Sequence, residues 1–216
     1  MYHVTARSNA EERICVDDGD YAALLASIAA SASGCHWFCL MPTHYHLLVS
    51  VDADELAPTV HRINRSYATT FNRRYGRRGH VFDSPYSATL VEDDAYLQNA
   101  VVYIAANPDF PETWRWSGYP GYLGLRAPYR FVDSRPVSAV FSSTERLREC
   151  VRFRKEQGSE STWNQVPERN LVPFLDQLGS QPDGLRKEPG SLREPGSRPF
   201  PFASSSETEA RFRPRP

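Results

Sequence analysis

The amino-acid sequence predicts an α+β fold: an antiparallel sheet with helices packed on it, followed by a C-terminal helical extension and a tail of different composition. Three observations lead there. Tyr2–Ser8 and two stretches within 35–51 read as strands, the first by its two-residue alternation, whereas 17–33 and 54–75 carry apolar residues three and four apart. The resulting order, β-α-β-β-α-β-α, contains a tight hairpin and suits an antiparallel sheet. From about residue 181 onward Pro, Gly, Ser and Arg dominate, and a near-repeat occurs as 185-LRKEPGS-191 and 192-LREPGS-197. Such a composition buries too little apolar surface to order itself, so a disordered tail is expected.

The first strand places Tyr2, Val4 and Ala6 on one side and His3, Thr5 and Arg7 on the other. A helix then opens at 17-DDGD-20, carries Tyr21, Leu24, Leu25 and Ile28, and is expected to stop at Gly34. Cys35–Met41 and His44–Val51 form the hairpin around Pro42-Thr43. From Asp54, Leu56, Val60, Ile63, Tyr67, Phe71 and Tyr75 mark one buried face of a long helix. Tyr86–Val91 reads as a fourth strand, and 93-DD-94 opens a third helix that Pro108 ends. Beyond about Gly124 the pattern weakens, although 143–156 suits a charged helix resting on Leu147, Val151 and Phe153.

Length and charge bound the function. A chain of 216 residues with 40% apolar content holds one core-bearing domain and an extension. The 25 basic and 26 acidic residues nearly cancel, so attraction to a polyanion must come from local clustering. Four cysteines (Cys15, Cys35, Cys39 and Cys150) behind a start with no leader-like apolar segment predict a cytoplasmic protein. No apolar run approaches the roughly 20 residues of a membrane span, so no membrane partner is expected.

Chemistry concentrates in 41-MPTHYHLLVS-50. His44 and His46, two apart on a strand, project to one face and can share a divalent metal, while Tyr45, Leu47, Val49 and Val51 form an apolar side that places the core opposite the histidines. Two satisfied surface histidines are the competing reading. On the third helix Tyr103 and Asn107 stand four apart, on a face with Tyr96 and Asn99 and away from Leu97, Val101 and Ile104. A tyrosine hydroxyl is a poor nucleophile, but a metal-polarised phosphodiester lowers the demand on it. An Asn carboxamide offers a hard oxygen suited to Mg²⁺ or Mn²⁺. Here the competing reading has Tyr103 packing on the sheet and Asn107 capping the helix.

Between His61 and His80 six arginines (Arg62, Arg65, Arg73, Arg74, Arg77 and Arg78) occur without one acid, interleaved with Tyr67, Phe71 and Tyr75, as suits DNA phosphates; a solvated helix face is the alternative. Cys35 and Cys39, about 13 Å apart on an extended strand, are read as core thiols rather than zinc ligands.

The segments 2-YHVTARSN-9, 41-MPTHYHLLV-49, 79-GHVFDSPYSATLVEDDAYL-97, 103-YIAANP-108 and 116-WSGY-119 resemble, in order and spacing, the REP-associated tyrosine transposases of the HUH single-tyrosine superfamily. The resemblance covers roughly 1–125, read as the HUH domain of ferredoxin-like fold, with 126–180 a partly helical extension and 181–216 the tail. It implies His44 and His46 as metal ligands, Asn107 as third ligand and Tyr103 as nucleophile. It further implies Mg²⁺ or Mn²⁺ as cofactor, and cleavage of single-stranded or hairpin DNA, REP-like palindromes among them, through a 5′-phosphotyrosine, by a monomer or homodimer. This chain departs from the pattern at Ser87, where a basic residue is usual, at Asp83-Ser84-Pro85, at Ala105-Ala106 and at Asp109. A DNA- or RNA-binding regulator that no longer cuts is the rival reading; a metal-dependent hydrolase using Tyr103 only as ligand or orienter is a third.

Overall fold

The computed structural model describes residues 1–8, 12–83 and 85–157. The elements run β1 (Tyr2–Arg7), α1 (Asp18–Ser31), β2 (Cys35–Leu40), β3 (His44–Val49), α2 (Ala53–Tyr75), β4 (Ser87–Leu90), α3 (Asp94–Ala105), α4 (Tyr119–Tyr122), α5 (Arg135–Val140) and α6 (Thr144–Glu156). The near-repeat and the rest of 158–216 lie outside the described residues. No described helix is long and apolar enough to cross a membrane.

The four strands form one antiparallel sheet in the order β2-β3-β1-β4. Its register sets Thr5 opposite His46 and Arg7 opposite His44 on one side, and Thr5 opposite Ser87 on the other. The hairpin closes where the Met41 amide donates to the His44 carbonyl at 2.8 Å, with Pro42 and Thr43 between.

Both faces of the sheet are covered. Val4, Ala6, Phe38, Leu40, Tyr45, Leu47 and Val49 pack with α1 and α2 through Leu24, Ile28, Val60, Ile63 and Tyr67. On the other face Trp37, Cys39 and Leu48 pack with α3, α5 and α6 through Val101, Ile104, Val137, Leu147 and Cys150. The core is therefore not confined to the side opposite the histidines, as Tyr45, Leu47 and Val49 alone suggested: Leu48, on the histidine face, is fully buried too. Each large aliphatic side chain so enclosed contributes about 1.5–3 kcal/mol. A register shift between Cys35 and Trp37 turns the strand over. Cys35 thus enters the first core and Cys39 the second, both as fully buried free thiols, and burial pushes the Cys35 thiol up to about 12.

Local chemistry sets the helix ends. Asp17 caps α1 and Asp20 completes a capping box. The expected Gly34 stop is instead an approach: the cap is Ala32, and a Cβ on Gly34 would stand 2.2 Å from the Ser50 carbonyl oxygen. Gly76 ends α2 in the left-handed region at φ 61°. Helix α3 ends at Ala105, two residues before Asn107.

The outer edge of β2 is sealed by the segment after α3. The Leu40 amide donates to the Trp116 carbonyl at 2.8 Å, the Gly118 amide to the Phe38 carbonyl at 3.0 Å, and the Trp114 indole to the Leu40 carbonyl at 2.9 Å. Trp116 in turn stacks on Tyr21 of α1, ring centroids 5.1 Å apart.

Candidate active site

The period of β3 points His44 and His46 away from α1 and α2, toward the end of α3. Thr43 Oγ lies 3.1 Å from His44 Nδ1, and Thr5 Oγ lies 2.9 Å from His46 Nδ1. Both rings are thus held through Nδ1, which leaves each Nε2 directed at Asn107. His44 Nε2 is 3.2 Å from Asn107 Oδ1, and Asn107 Nδ2 donates to His46 Nε2 at 3.3 Å. Asn107 spends its amide on the two histidines rather than on the helix end. A metal-bound histidine ordinarily donates its other ring N–H to an outer acceptor, a place that the two threonine hydroxyls can take.

Tyr103 stands over this group. Its ring meets His46 edge-on with centroids 5.3 Å apart and His3 at 6.0 Å, while the Arg154 guanidinium lies 5.0 Å from its centroid. His3 is buried at 9% exposure, with Nε2 3.2 Å from His46 Nδ1. Asn99, read with Tyr103 and Asn107 as part of the open face of α3, is buried, because α3 lies between the sheet and α5 and α6.

Electrostatics keep the histidines neutral. Burial first, then the charge of Arg7 across the strand, pushes His44 down to about 4, against a weaker opposing hydrogen bond from Asn107. His46, 1% exposed, is driven well down by burial first, then by its neighbours His3, His44 and Arg7. A neutral imidazole is the form that ligates a metal. Among the described residues no group of three His, Cys, Asp or Glu side chains suited to a metal ion is found, and the further polar oxygen beside the two histidine Nε2 atoms is Asn107 Oδ1. Two imidazole nitrogens and one amide oxygen, with Nδ1 braced behind both rings, fit a Mg²⁺ or Mn²⁺ ion that keeps coordination positions for substrate.

The six arginines lie elsewhere. Helix α2 packs on the opposite face of the sheet, and three of the six are engaged by acids that no local reading of 61–80 could supply. Arg74 pairs with Asp17 at 2.6 Å and with the buried Asp20 at 2.7 Å, Arg77 with Glu12 at 2.6 Å and Arg62 with Glu55 at 3.7 Å. Arg65, Arg73 and Arg78 are exposed and have no ion-pair partner among the described residues.

Sequence reasoning did not find Thr43, Arg154 or Lys155. Arg7 and Thr5 were legible as sharing the His3 face, and pairing of β1 with β3 brings them to the site. Helix α6 brings Arg154 over Tyr103 and the Lys155 amine within 3.1 Å of the Pro108 carbonyl. No spacing signal announces a helix returning across some fifty residues.

The fold and site together define a class of antiparallel α+β protein in which two strand histidines meet a tyrosine and an asparagine from the neighbouring helix region. Residues 1–107 match the family model described as transposase IS200 like. A solved structure described as a REP-associated tyrosine transposase bound to a REP hairpin is similar at 15% identity and a TM-score of 0.48, over 62% of this chain and 86% of that one. No curated protein matches.

Proposed function

We propose that the chain is a metal-dependent, single-tyrosine DNA nicking and strand-transfer enzyme acting on single-stranded or hairpin DNA, REP-like palindromes among them. The observation that carries this reading is the meeting of His44 Nε2, His46 Nε2 and the Asn107 amide below the ring of Tyr103. His44, His46 and Asn107 would hold Mg²⁺ or Mn²⁺. When bound, such an ion supplies charge neutralisation and polarises a phosphate oxygen.

The remaining work falls to the chain's own groups. Thr43 and Thr5 hold the two histidine rings in place at Nδ1, and Arg7, opposite His44, faces the incoming phosphate with fixed positive charge. The Tyr103 oxygen attacks phosphorus and loses its proton to solvent. The new bond is a 5′-phosphotyrosine, and the bond that breaks releases a 3′-hydroxyl, which takes up a proton. A 3′-hydroxyl attacking the phosphotyrosine reverses these events and joins strands. Positioning contributes more to such a step than a strong base does. Arg65 and Arg73 on α2 and Arg78 just beyond it, with Arg62, Arg74 and Arg77 beside them, extend phosphate contact to the far face. We place the enzyme in the cytoplasm as a monomer or homodimer, with 1–125 as the HUH domain, 126–180 as a partly helical extension and 181–216 as a tail.

The test is incubation of the protein with 3′-labelled hairpin oligonucleotides and Mn²⁺. The expected product is a fragment that stays attached to protein through its new 5′ end after boiling in detergent, absent with chelator and absent in Tyr103→Phe. Ser87, exposed opposite Thr5 where a basic residue is usual, favours the rival reading of a DNA- or RNA-binding regulator that no longer cuts. Binding by the wild-type protein without any adduct would establish that rival. An adduct that persists in Tyr103→Phe and maps to Tyr96 would move the nucleophile.

A further inference from the structure

The segment just beyond Asn107 and helix α6 together line an open groove of about 330 Å³. That volume falls at the small end of sites that take an organic ring system. Its features are those of a site rather than a crease. Phe110 is 77% exposed at its lip, an aromatic ring that no core requires. Val151 forms part of the apolar floor. Arg148, Arg152 and Lys155, spaced four and three apart, line the α6 wall, against Asp109 and Glu112 on the loop. Arg148 is already neutralised by Glu112 at 3.2 Å and Glu145 at 2.7 Å. Arg152 and Lys155 then face Asp109 alone, so the lining is net positive. The groove also abuts the candidate site: the Lys155 amine donates to the carbonyl of Pro108, next to Asn107, and Arg154 on the same helix covers Tyr103.

We propose that this groove is a nucleotide subsite. It takes one unpaired nucleotide of the DNA strand beside the scissile phosphate, with the base stacked on Phe110 and the neighbouring phosphates on Arg152 and Lys155. The assignment rests on DNA as the substrate. A flat apolar ring flanked by cations, in a groove whose lining begins two residues past Asn107, matches the alternating base and phosphate of a single strand. A fully paired duplex presents no free base face to Phe110, so the groove would discriminate unpaired from paired DNA independently of sequence. Its residues all lie beyond 1–107, so this selectivity is contributed by the chain following the matched family segment.

Fluorescence anisotropy with full-length Tyr103→Phe protein, which does not turn over, tests this with three labelled probes: a twelve-nucleotide oligothymidylate, the same chain with abasic sites, and a twelve-base-pair duplex. Adding Phe110→Ala should weaken oligothymidylate binding by roughly five- to a hundredfold, the worth of one stacked base. It should leave the abasic and duplex probes unchanged, and Phe110→Trp should restore binding with quenched indole emission. Arg152→Ala should lower the log–log salt slope for oligothymidylate by about 0.7. Equal affinity of Phe110→Ala and its parent for oligothymidylate would overturn the subsite, as would a loss spread evenly over all three probes. If the parent bound none of the probes, the DNA reading itself would fall, and this assignment with it.

Discussion

His44 and Asn107 stand 63 residues apart in sequence, yet the His44 Nε2 and the Asn107 Oδ1 are 3.2 Å apart. The contact ties the start of β3 to the second residue past α3, and it makes the amide the discriminating group. Asn107→Ala is expected to lower Mn²⁺ affinity, measured by titration calorimetry, at least about tenfold. Asn107→Asp, which puts a carboxylate oxygen in the same place, should hold or raise it. Unchanged affinity in the alanine variant would mean that the ion is held without this residue.

The same histidines give a pH signature in metal-free protein. His44 is shifted from its ordinary 6.5 down to about 4, and His46 moves in the same direction. Between those pH values the unfolded chain binds protons that the folded one refuses. Stability is therefore complete above about pH 6.5 and declines as pH falls toward 4, by up to about 1.4 kcal/mol per pH unit for each histidine. Urea unfolding in chelator across pH 7 to 4.5 should show this slope, and His44→Gln should flatten it. A wild-type midpoint that does not move over this range contradicts the burial argument.

Arg154 and Tyr103 should be energetically coupled. A double-mutant cycle with Arg154→Met and Tyr103→Leu isolates the guanidinium-ring contact from the other interactions of either side chain. The expected coupling is about 0.5–2 kcal/mol in thermal or denaturant unfolding. Additive effects would show that the stacking at 5.0 Å contributes nothing measurable.

The arginines of α2 and of the turn that follows it should divide into two groups. Arg74→Ala and Arg77→Ala break pairs with Asp17, Asp20 and Glu12, so they should lower the melting temperature. Arg65→Ala, Arg73→Ala and Arg78→Ala should leave melting unchanged and reduce the salt slope of single-strand binding by up to about 0.7 each. Identical behaviour of all five variants in both assays would refute the division.

What the sequence revealed here was whatever repeats with a local period. His44 and His46 were legible because a strand returns every second side chain to one face, and Tyr103 with Asn107 because a helix returns every fourth. The buried stripe of α2 was legible for the same reason, up to Tyr75, which at 37% exposure leaves the core. Gly34 misled because a glycine that ends a helix and one that admits a neighbouring backbone look alike in sequence. The charge partners of Arg74 and Arg77 lie more than fifty residues earlier, and Arg154 reaches Tyr103 from a helix beyond the matched segment; no local pattern encodes such meetings.

The seal along β2 has a consequence for anyone who excises this protein. A fragment stopped after Asn107 keeps every position of the family match, both histidines, the tyrosine and the asparagine. It gives up the Trp116 and Gly118 backbone that occupies the outer edge of β2, the Trp116 ring laid on Tyr21, and the α6 cover over α3. Bare strand edges recruit other strands, so such a fragment should precipitate or cross-pair rather than behave as a minimal enzyme. Heredity and folding draw their borders at different residues in this chain, and a boundary chosen for expression has to follow the second.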